Sequence, residues 1–267
     1  MMEIFQYDFM QRAFSAGIII GVIAPLIGLF LVVKRYSLIA DTLSHVSLLG
    51  VAAGILININ PILGALIISI LASFGMEELR ESKKIYGESV LAIFLSGSLA
   101  LALILIGLAR ELNVNFFSYL FGSISTVSQA DLSLILLFGI LIIGVIFSNY
   151  HQLFLVSFDE EIAKAAGVKV KIYNLFLIIL AAITVSLAMR VVGALLVGAL
   201  MVIPVLSAMQ FRRSFKKTLI IAIFISLAAV IIGLYLSFYI DIPSGGTIAV
   251  VTLIFFLFSF LIGQTKS

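Results

Sequence analysis

Nine apolar runs fill this chain, at about 13–33, 38–57, 61–76, 90–109, 131–148, 173–189, 191–209, 218–238 and 246–263. Each is close to the ~20 residues an α-helix needs to cross the hydrocarbon core of a bilayer. Lipid offers no partners for backbone N–H and C=O groups, so a crossing segment must satisfy them internally, as a helix does. The runs predict an all-α, polytopic membrane protein of about nine transmembrane helices. Eight would remain if one tight link, between runs 2 and 3 or 6 and 7, belongs to a broken or re-entrant element. With 63% hydrophobic and only 11% charged residues, the spans consume the length, and no room is left for a soluble catalytic domain. No GxxxxGK[ST] loop occurs, so the chain does not bind ATP in the P-loop manner. The absence of cysteine removes disulfides and thiolate metal sites. Glu3 and Asp8 precede the first run, unlike the basic start of a signal peptide, so the first span is expected to be retained.

The basic residues orient these spans. Links after odd-numbered runs hold Lys34, Arg35, Arg80, Lys83, Lys84, Lys164, Lys169, Lys171, Arg212, Arg213, Lys216, Lys217 and Lys266; only Arg12, Arg110 and Arg190 fall elsewhere. Lys and Arg are retained on the cytoplasmic side. The expectation is an N-terminus outside and a C-terminus in the cytoplasm.

One cytoplasmic link has helix signals of its own. Ser157-Phe158-Asp159-Glu160 reads as a capping box with Ser157 as N-cap. Asp159, Glu160 and Glu161 put negative charge in the first turn, Glu160 and Lys164 are spaced as an i,i+4 pair, and Gly167 is a natural stop. The predicted helix covers about 158–166, with Phe158, Ile162 and Ala165–Ala166 as its apolar side. It is either a loop helix resting on the membrane surface or a docking element for a cytoplasmic partner.

The second run carries the chemistry. Asp41 and His45 lie one helical turn apart inside it, on one face. An ionisable group at the centre of a span costs roughly 2.5–3.5 kcal/mol on insertion scales. Asp oxygen and His nitrogen are ligands for borderline divalent metals. Gly50, Gly54 and Ser47 fall on the opposite, small-residue face, which suits close helix packing. One Asp and one His are too few for zinc, which takes four ligands. A twofold axis would supply a second Asp41 and His45. The alternative is a local pair that merely pins the helix. Counted from Arg35, Asp41 is only about 9 Å into the membrane.

Weaker candidates are read as structural. His151 is expected to be a solvated loop residue, and Glu111, Asp131 and Asp241 outer loop charges. Pro25 and Pro204 are expected to kink spans, and Gly17–Gly21 to permit close packing. Tyr119–Ser125 is a candidate re-entrant segment.

With these residues in hand, the chain resembles the membrane permease subunit of the manganese/zinc/iron uptake family of bacterial ABC importers. The likeness runs nearly end to end. It includes Phe9-Met-Gln-Arg-Ala13, Gly28-Leu-Phe-Leu-Val-Val-Lys-Arg35, Ser37-Leu-Ile-Ala-Asp-Thr-Leu-Ser-His45 and Leu120-Phe-Gly-Ser123. Further on come Ser157-Phe-Asp-Glu-Glu-Ile-Ala163 with Gly167, and Val192 through Pro204. The resemblance implies a single transmembrane permease domain over 1–267, with a coupling helix at 157–167 that docks on an ATPase. Phe158, Asp159, Glu160, Glu161, Ala163 and Gly167 would belong to that helix. It implies a second copy of the chain, a separate cytoplasmic ATP-binding subunit and an extracellular metal-binding protein as partners, with no nucleic acid. It also implies Asp41 and His45 as metal-coordinating residues on the path. The chain itself would hold no cofactor. Ala40, where many relatives have Gly, and Leu49, where many manganese-type members have Pro, make this form look more like the zinc-uptake members.

The expected function is thus an ATP-driven importer of divalent transition-metal ions, zinc first, in a bacterial cell membrane. Manganese or iron import by the same family is one alternative, and a proton-coupled secondary metal transporter is another. A secondary carrier commonly shows inverted repeats, and no clear repeat is seen. A membrane scaffold has no use for an intramembrane Asp–His pair, and an intramembrane enzyme would need a second such pair in the chain.

Overall fold

The computed structural model describes residues 3–82, 85–108 and 116–264. It is all-helical among these residues: α1 Asp8–Val33, α2 Leu38–Leu56, α3 Pro61–Glu81, α4 Gly87–Leu108, α5 Phe116–Phe121, α6 Gln129–Ser148, α7 Tyr150–Phe158, α8 Glu160–Ala165, α9 Val170–Val192, α10 Val197–Met209, α11 Phe215–Ile240 and α12 Ser244–Gln264. Eight of them, α1, α2, α3, α4, α6, α9, α11 and α12, are long and apolar enough to cross a membrane. The expected run 191–209 is not one helix. Val191 and Val192 end α9, Gly193 takes a left-handed φ of 85°, and the chain restarts as the 13-residue α10. At 1.5 Å per residue that helix is about 20 Å long, short of a ~30 Å hydrocarbon core.

The break is stabilised by another segment. Ala194 N–H donates to the Tyr119 carbonyl (2.7 Å), Leu195 N–H to the Leu120 carbonyl (3.2 Å), and Ser123 N–H to the Arg190 carbonyl (3.4 Å). Non-helical backbone at membrane depth survives only where protein groups satisfy it. The Tyr119–Ser125 segment, with α5 and the left-handed Gly122 (φ 74°), therefore serves as the hydrogen-bonding template for the α9–α10 break.

α1, α2 and α9 form the buried centre, whereas α4, α6 and α11 present most of their apolar surface outward. α1 packs on α6, α9, α10 and α11, and α9 also packs on α2 and α3. The small-residue face of α2 lies on α3 as expected: a Cβ at Gly50 would stand 2.5 Å from both the Ala65 Cα and the Gly64 carbonyl oxygen. Gly17 and Gly21 likewise admit Val230 and Leu227 of α11. A buried hydroxyl cluster joins three helices, with the Ser47 hydroxyl 2.8 Å from that of Ser69 and 2.9 Å from that of Ser186. Pro25 and Pro204 sit buried inside α1 and α10.

The charged side chains collect at the two ends of the bundle. Lys34 meets Glu160, Lys171 meets Glu78 and Glu81, and Lys216 lies over the Tyr150 ring. This end gathers links that the sequence reading placed in the cytoplasm. The other end holds Arg12, bonded to the Val127 carbonyl (2.9 Å), and Arg190, paired with Asp131. Lys83, Lys84, Arg110, Glu111 and Lys266 lie outside the described residues.

Candidate functional site

Asp41 occupies the first turn of α2 and His45 the next. Asp41 is exposed and His45 half-buried. Leu38 (56% exposed) and Leu56 (42%) continue the same open side of α2. Across the helix, Ser47, Gly50 and Gly54 are buried. α2 thus turns its small face to its neighbours, and on its other side Leu38, Asp41 and Leu56 form an exposed strip beside the buried Leu48 and Ala52. Ser44 is not part of the open face: it is buried, and its hydroxyl donates to the Asp41 carbonyl at 2.7 Å.

α10 borders the pair. A Cβ built on Gly198 would fall 2.0 Å from Asp41 Oδ1, so the carboxylate rests on the bare backbone of the first turn of α10, the end that carries partial positive charge. His45 Nδ1 is buried and has no hydrogen-bond partner among the described residues. Buried polar atoms are nearly always partnered, so this nitrogen is an exception among the described residues. Among the described residues no three His, Cys, Asp or Glu side chains converge as a metal site. Asp41 and His45 stand as a pair, without a third such side chain beside them among those residues.

Ser47, whose hydroxyl meets that of Ser186 on α9, lies about 9 Å along α2 from Asp41.

The second candidate element departs from expectation in two ways. Ser157 is not a cap. A separate helix, α7, runs through it to Phe158, and Ser157 is buried, its hydroxyl without a hydrogen-bond partner among the described residues. Asp159 is the N-cap: its backbone is extended, and Oδ1 accepts from Glu161 N–H (2.8 Å) and Ile162 N–H (3.0 Å). Asp caps as well as Ser, and its charge adds attraction to the helix dipole. Nor is the Glu160–Lys164 pair formed. Glu160 Oε1 instead accepts from Lys34 Nζ (2.6 Å) and Asn174 Nδ2 (3.1 Å). Gly167 does end α8, at φ 79°. Gly167 N–H bonds the Lys164 carbonyl and Val168 N–H the Ala163 carbonyl, a Schellman closure. Ala163 is buried, Glu161 is exposed, and Phe158 (72%) and Ile162 (59%) are open to solvent.

The weaker candidates sort differently. His151 is exposed as expected, though on α7 rather than in a loop. Asp131 is no loop charge. It is buried, forms a capping box with Ser128 at the start of α6, and pairs with Arg190 Nε at 3.0 Å. The Arg190 guanidinium also lies 4.4 Å from the Tyr119 ring centre. Asp241 is exposed in a left-handed C-cap of α11. It lines a cleft of about 540 Å³ with Phe9, Phe121 and Ser237. Sequence reasoning gave Gly198 and Asn174 no role, and it did not pair Lys34 with Glu160.

Residues 6–263 match the model of the ABC 3 transport family. The chain is 32% identical to the manganese import system permease protein ScaB of Streptococcus parasanguinis, over 98% of this chain and 93% of that protein. It is 29% identical to the high-affinity zinc uptake system membrane protein ZnuB of Haemophilus influenzae, over 95% of this chain and 97% of that one. The fold matches a solved structure, PsaBC from Streptococcus pneumoniae in complex with Fab, with a TM-score of 0.87 at 30% identity. That match covers 96% of this chain and 92% of the other.

Proposed function

The chain belongs to the ABC 3 transport family, and from that premise we propose that it imports zinc as one of two copies, through a site built with Asp41 and His45. At the coarser level it is the permease of a metal-importing ABC transporter, a multi-pass protein of a bacterial membrane without an ATPase site of its own. The observation that carries the finer reading is the Asp41–His45 pair, one turn apart on one side of α2. It offers one carboxylate and one imidazole, with His45 Nδ1 unpartnered. Zinc takes four ligands, and a second copy across a twofold axis doubles the set to four.

Asp and His suit both zinc and manganese, and relatives named for each are similar to this chain. The preference for zinc rests on Ala40 and Leu49, where the chain looks like zinc-uptake members. Import of manganese or iron is the alternative within the family.

The working cycle is alternating access. An extracellular binding protein delivers the ion to a cavity between two permeases, oriented with their basic loops inside. ATP binding closes the partner ATPases, and α8 passes that closure to the spans. The open Phe158 at the end of α7 and Ile162 of α8 are the side offered to the ATPase. Asp41 and His45 hold the dehydrated ion with modest affinity, because a tight site would trap it.

The test is radiotracer zinc uptake by cells with and without the chain, with excess manganese as competitor and with the Asp41→Ala variant. Zinc uptake that needs the chain, needs Asp41 and resists manganese supports the reading. Uptake that manganese suppresses moves the cargo to manganese. Uptake that persists in Asp41→Ala removes the pair from the path, and uptake that survives ATP depletion but collapses with the proton gradient favours a secondary carrier.

A further inference from the structure

At the foot of α2, Lys34 is bonded by three separate elements. Its Nζ lies 2.6 Å from Glu160 Oε1 on α8, 2.6 Å from Asn174 Oδ1 on α9, and 3.2 Å from the Val156 carbonyl on α7. An ammonium has three N–H donors, and all three are used. The Lys34 side chain is only 5% exposed, and Asn174 is buried. Asn174 also donates to Glu160, so lysine, carboxylate and amide form a closed triangle.

The triangle sits between the element proposed to receive motion and the helix proposed to use it. Lys34 caps the C-terminus of α1, and the link to α2 is only Arg35-Tyr36-Ser37. That link is tight: Arg35 holds a left-handed φ of 61°, and Tyr36 N–H closes back on the Leu31 carbonyl at 2.8 Å. The Tyr36 ring lies between cations, 5.1 Å from Lys34 Nζ and 4.3 Å from the Arg80 guanidinium. Arg80 is in turn paired with the buried Glu77 of α3 at 2.8 Å. Two cations and two carboxylates thus balance at one node. On its other side α8 is packed in place: Ala163 clusters with Val156 and Val170, while Phe158 and Ile162 remain open.

We propose that Lys34, through its bonds to Glu160 and Asn174, is the positioning residue that carries displacement of α8 to the foot of α2, and so to Asp41 and His45. Packed bundles respond to such displacements by switching arrangement rather than by yielding smoothly. A push on α8 that is lost before Lys34 would leave ATP hydrolysis intact and the metal site unmoved. This inference rests on the importer reading above, and it concerns coupling rather than metal binding.

The experiment is ATP hydrolysis and metal uptake measured together, for each of zinc, manganese and iron, in vesicles holding the full permease–ATPase complex and supplied with its binding protein. The variants are Lys34→Met, Glu160→Gln and the double substitution. The expected result is a rise in ATP hydrolysed per ion imported of about fivefold or more in each single variant, the lower range of measured couplings between sites. The double variant should be no worse than the worse single one, as residues of one network are non-additive. ATPase rate and uptake falling in proportion, with a lowered unfolding temperature, would mean that Lys34 only holds the fold together. An unchanged ratio at full stability would mean that it transmits nothing. Either result overturns the proposal while leaving the importer reading standing, provided the parent complex imports one of the metals. A parent complex that imports none would overturn the importer reading itself.

Discussion

The carboxylate of Asp41 rests against the Cα of Gly198, and a methyl group placed there would come within 2.0 Å of Oδ1. The nearest atoms to that methyl all belong to Asp41, a side-chain end that can swing away without moving backbone. Helix propensity favours Ala over Gly by up to about 1 kcal/mol. Gly198→Ala is therefore expected to leave thermal stability unchanged or slightly raised. Metal uptake should fall about tenfold or more, as when groups that orient a metal ligand are disturbed. Uptake and unfolding temperature measured on one preparation check this. A large stability loss would show instead that the α10 backbone had to shift.

Acid should separate the two candidate elements. At Glu160 burial pushes the carboxyl up, but the bonds from Lys34 and Asn174 outweigh it and hold the group below its ordinary value. A depressed carboxyl stabilises above its unfolded value of about 4.3 and loses that contribution only as pH falls through the lower folded value. Glu160 thus keeps its charge, and its bond to Lys34, as pH falls from about 7 to about 5. An imidazole ordinarily titrates near pH 6.5, and a metal ligand must be unprotonated. Uptake should decline as pH drops from about 7 to 5.5, with the same midpoint in the parent and in Glu160→Gln. A midpoint that shifts in Glu160→Gln would place the acid sensitivity at α8.

The α2–α3 seam discriminates between two glycines one turn apart. A Cβ at Gly50 would meet backbone, 2.5 Å from the Gly64 carbonyl oxygen and the Ala65 Cα, whereas one at Gly54 finds its nearest neighbour at 3.3 Å. Backbone cannot step aside, and overpacking typically costs 1–3 kcal/mol. Gly50→Ala should lower the unfolding temperature of the detergent-purified permease clearly, and Gly54→Ala should cost much less. Equal losses would mean that the two helices slide rather than pack at fixed register.

The spans and the Asp41–His45 face were legible because hydropathy and helical spacing are local properties. What sequence could not show is pairing across long separations. Lys34 and Glu160 are 126 positions apart, and nothing near Glu160 signals that its partner is Lys34 rather than Lys164. The α9–α10 break hides for a similar reason. Composition stays apolar from Val191 to Met209, and the helix stops where Tyr119 and Leu120 carbonyls accept from Ala194 and Leu195. The capping error at Ser157 arose because α7 adjoins α8 with only Asp159 between them, so the first capable residue lay inside a helix and the next one capped. Asp131 looked like a solvent charge because its partner, Arg190, belongs to another span.

Burial decides how much two ion pairs are worth. Asp131 and Arg190 have side chains only 3% and 14% exposed, whereas Lys171 and Glu81 are 58% and 31% exposed at a shorter 2.5 Å. Distance alone would favour the second pair, but exposed pairs contribute only about 0–1 kcal/mol. Removing one partner of a buried pair strands the other charge and costs about 3–5 kcal/mol. Arg190→Met should therefore destabilise strongly and Lys171→Met hardly at all. The cost of Arg190→Met is mainly that of the stranded carboxylate, so Asp131→Asn added to it should recover part of the loss. Unfolding of the single and double variants in detergent checks this. A double variant as damaged as both singles summed would show that the Asp131 cap of α6 and the Arg190–Tyr119 contact matter separately, and that the ion pair itself contributes little.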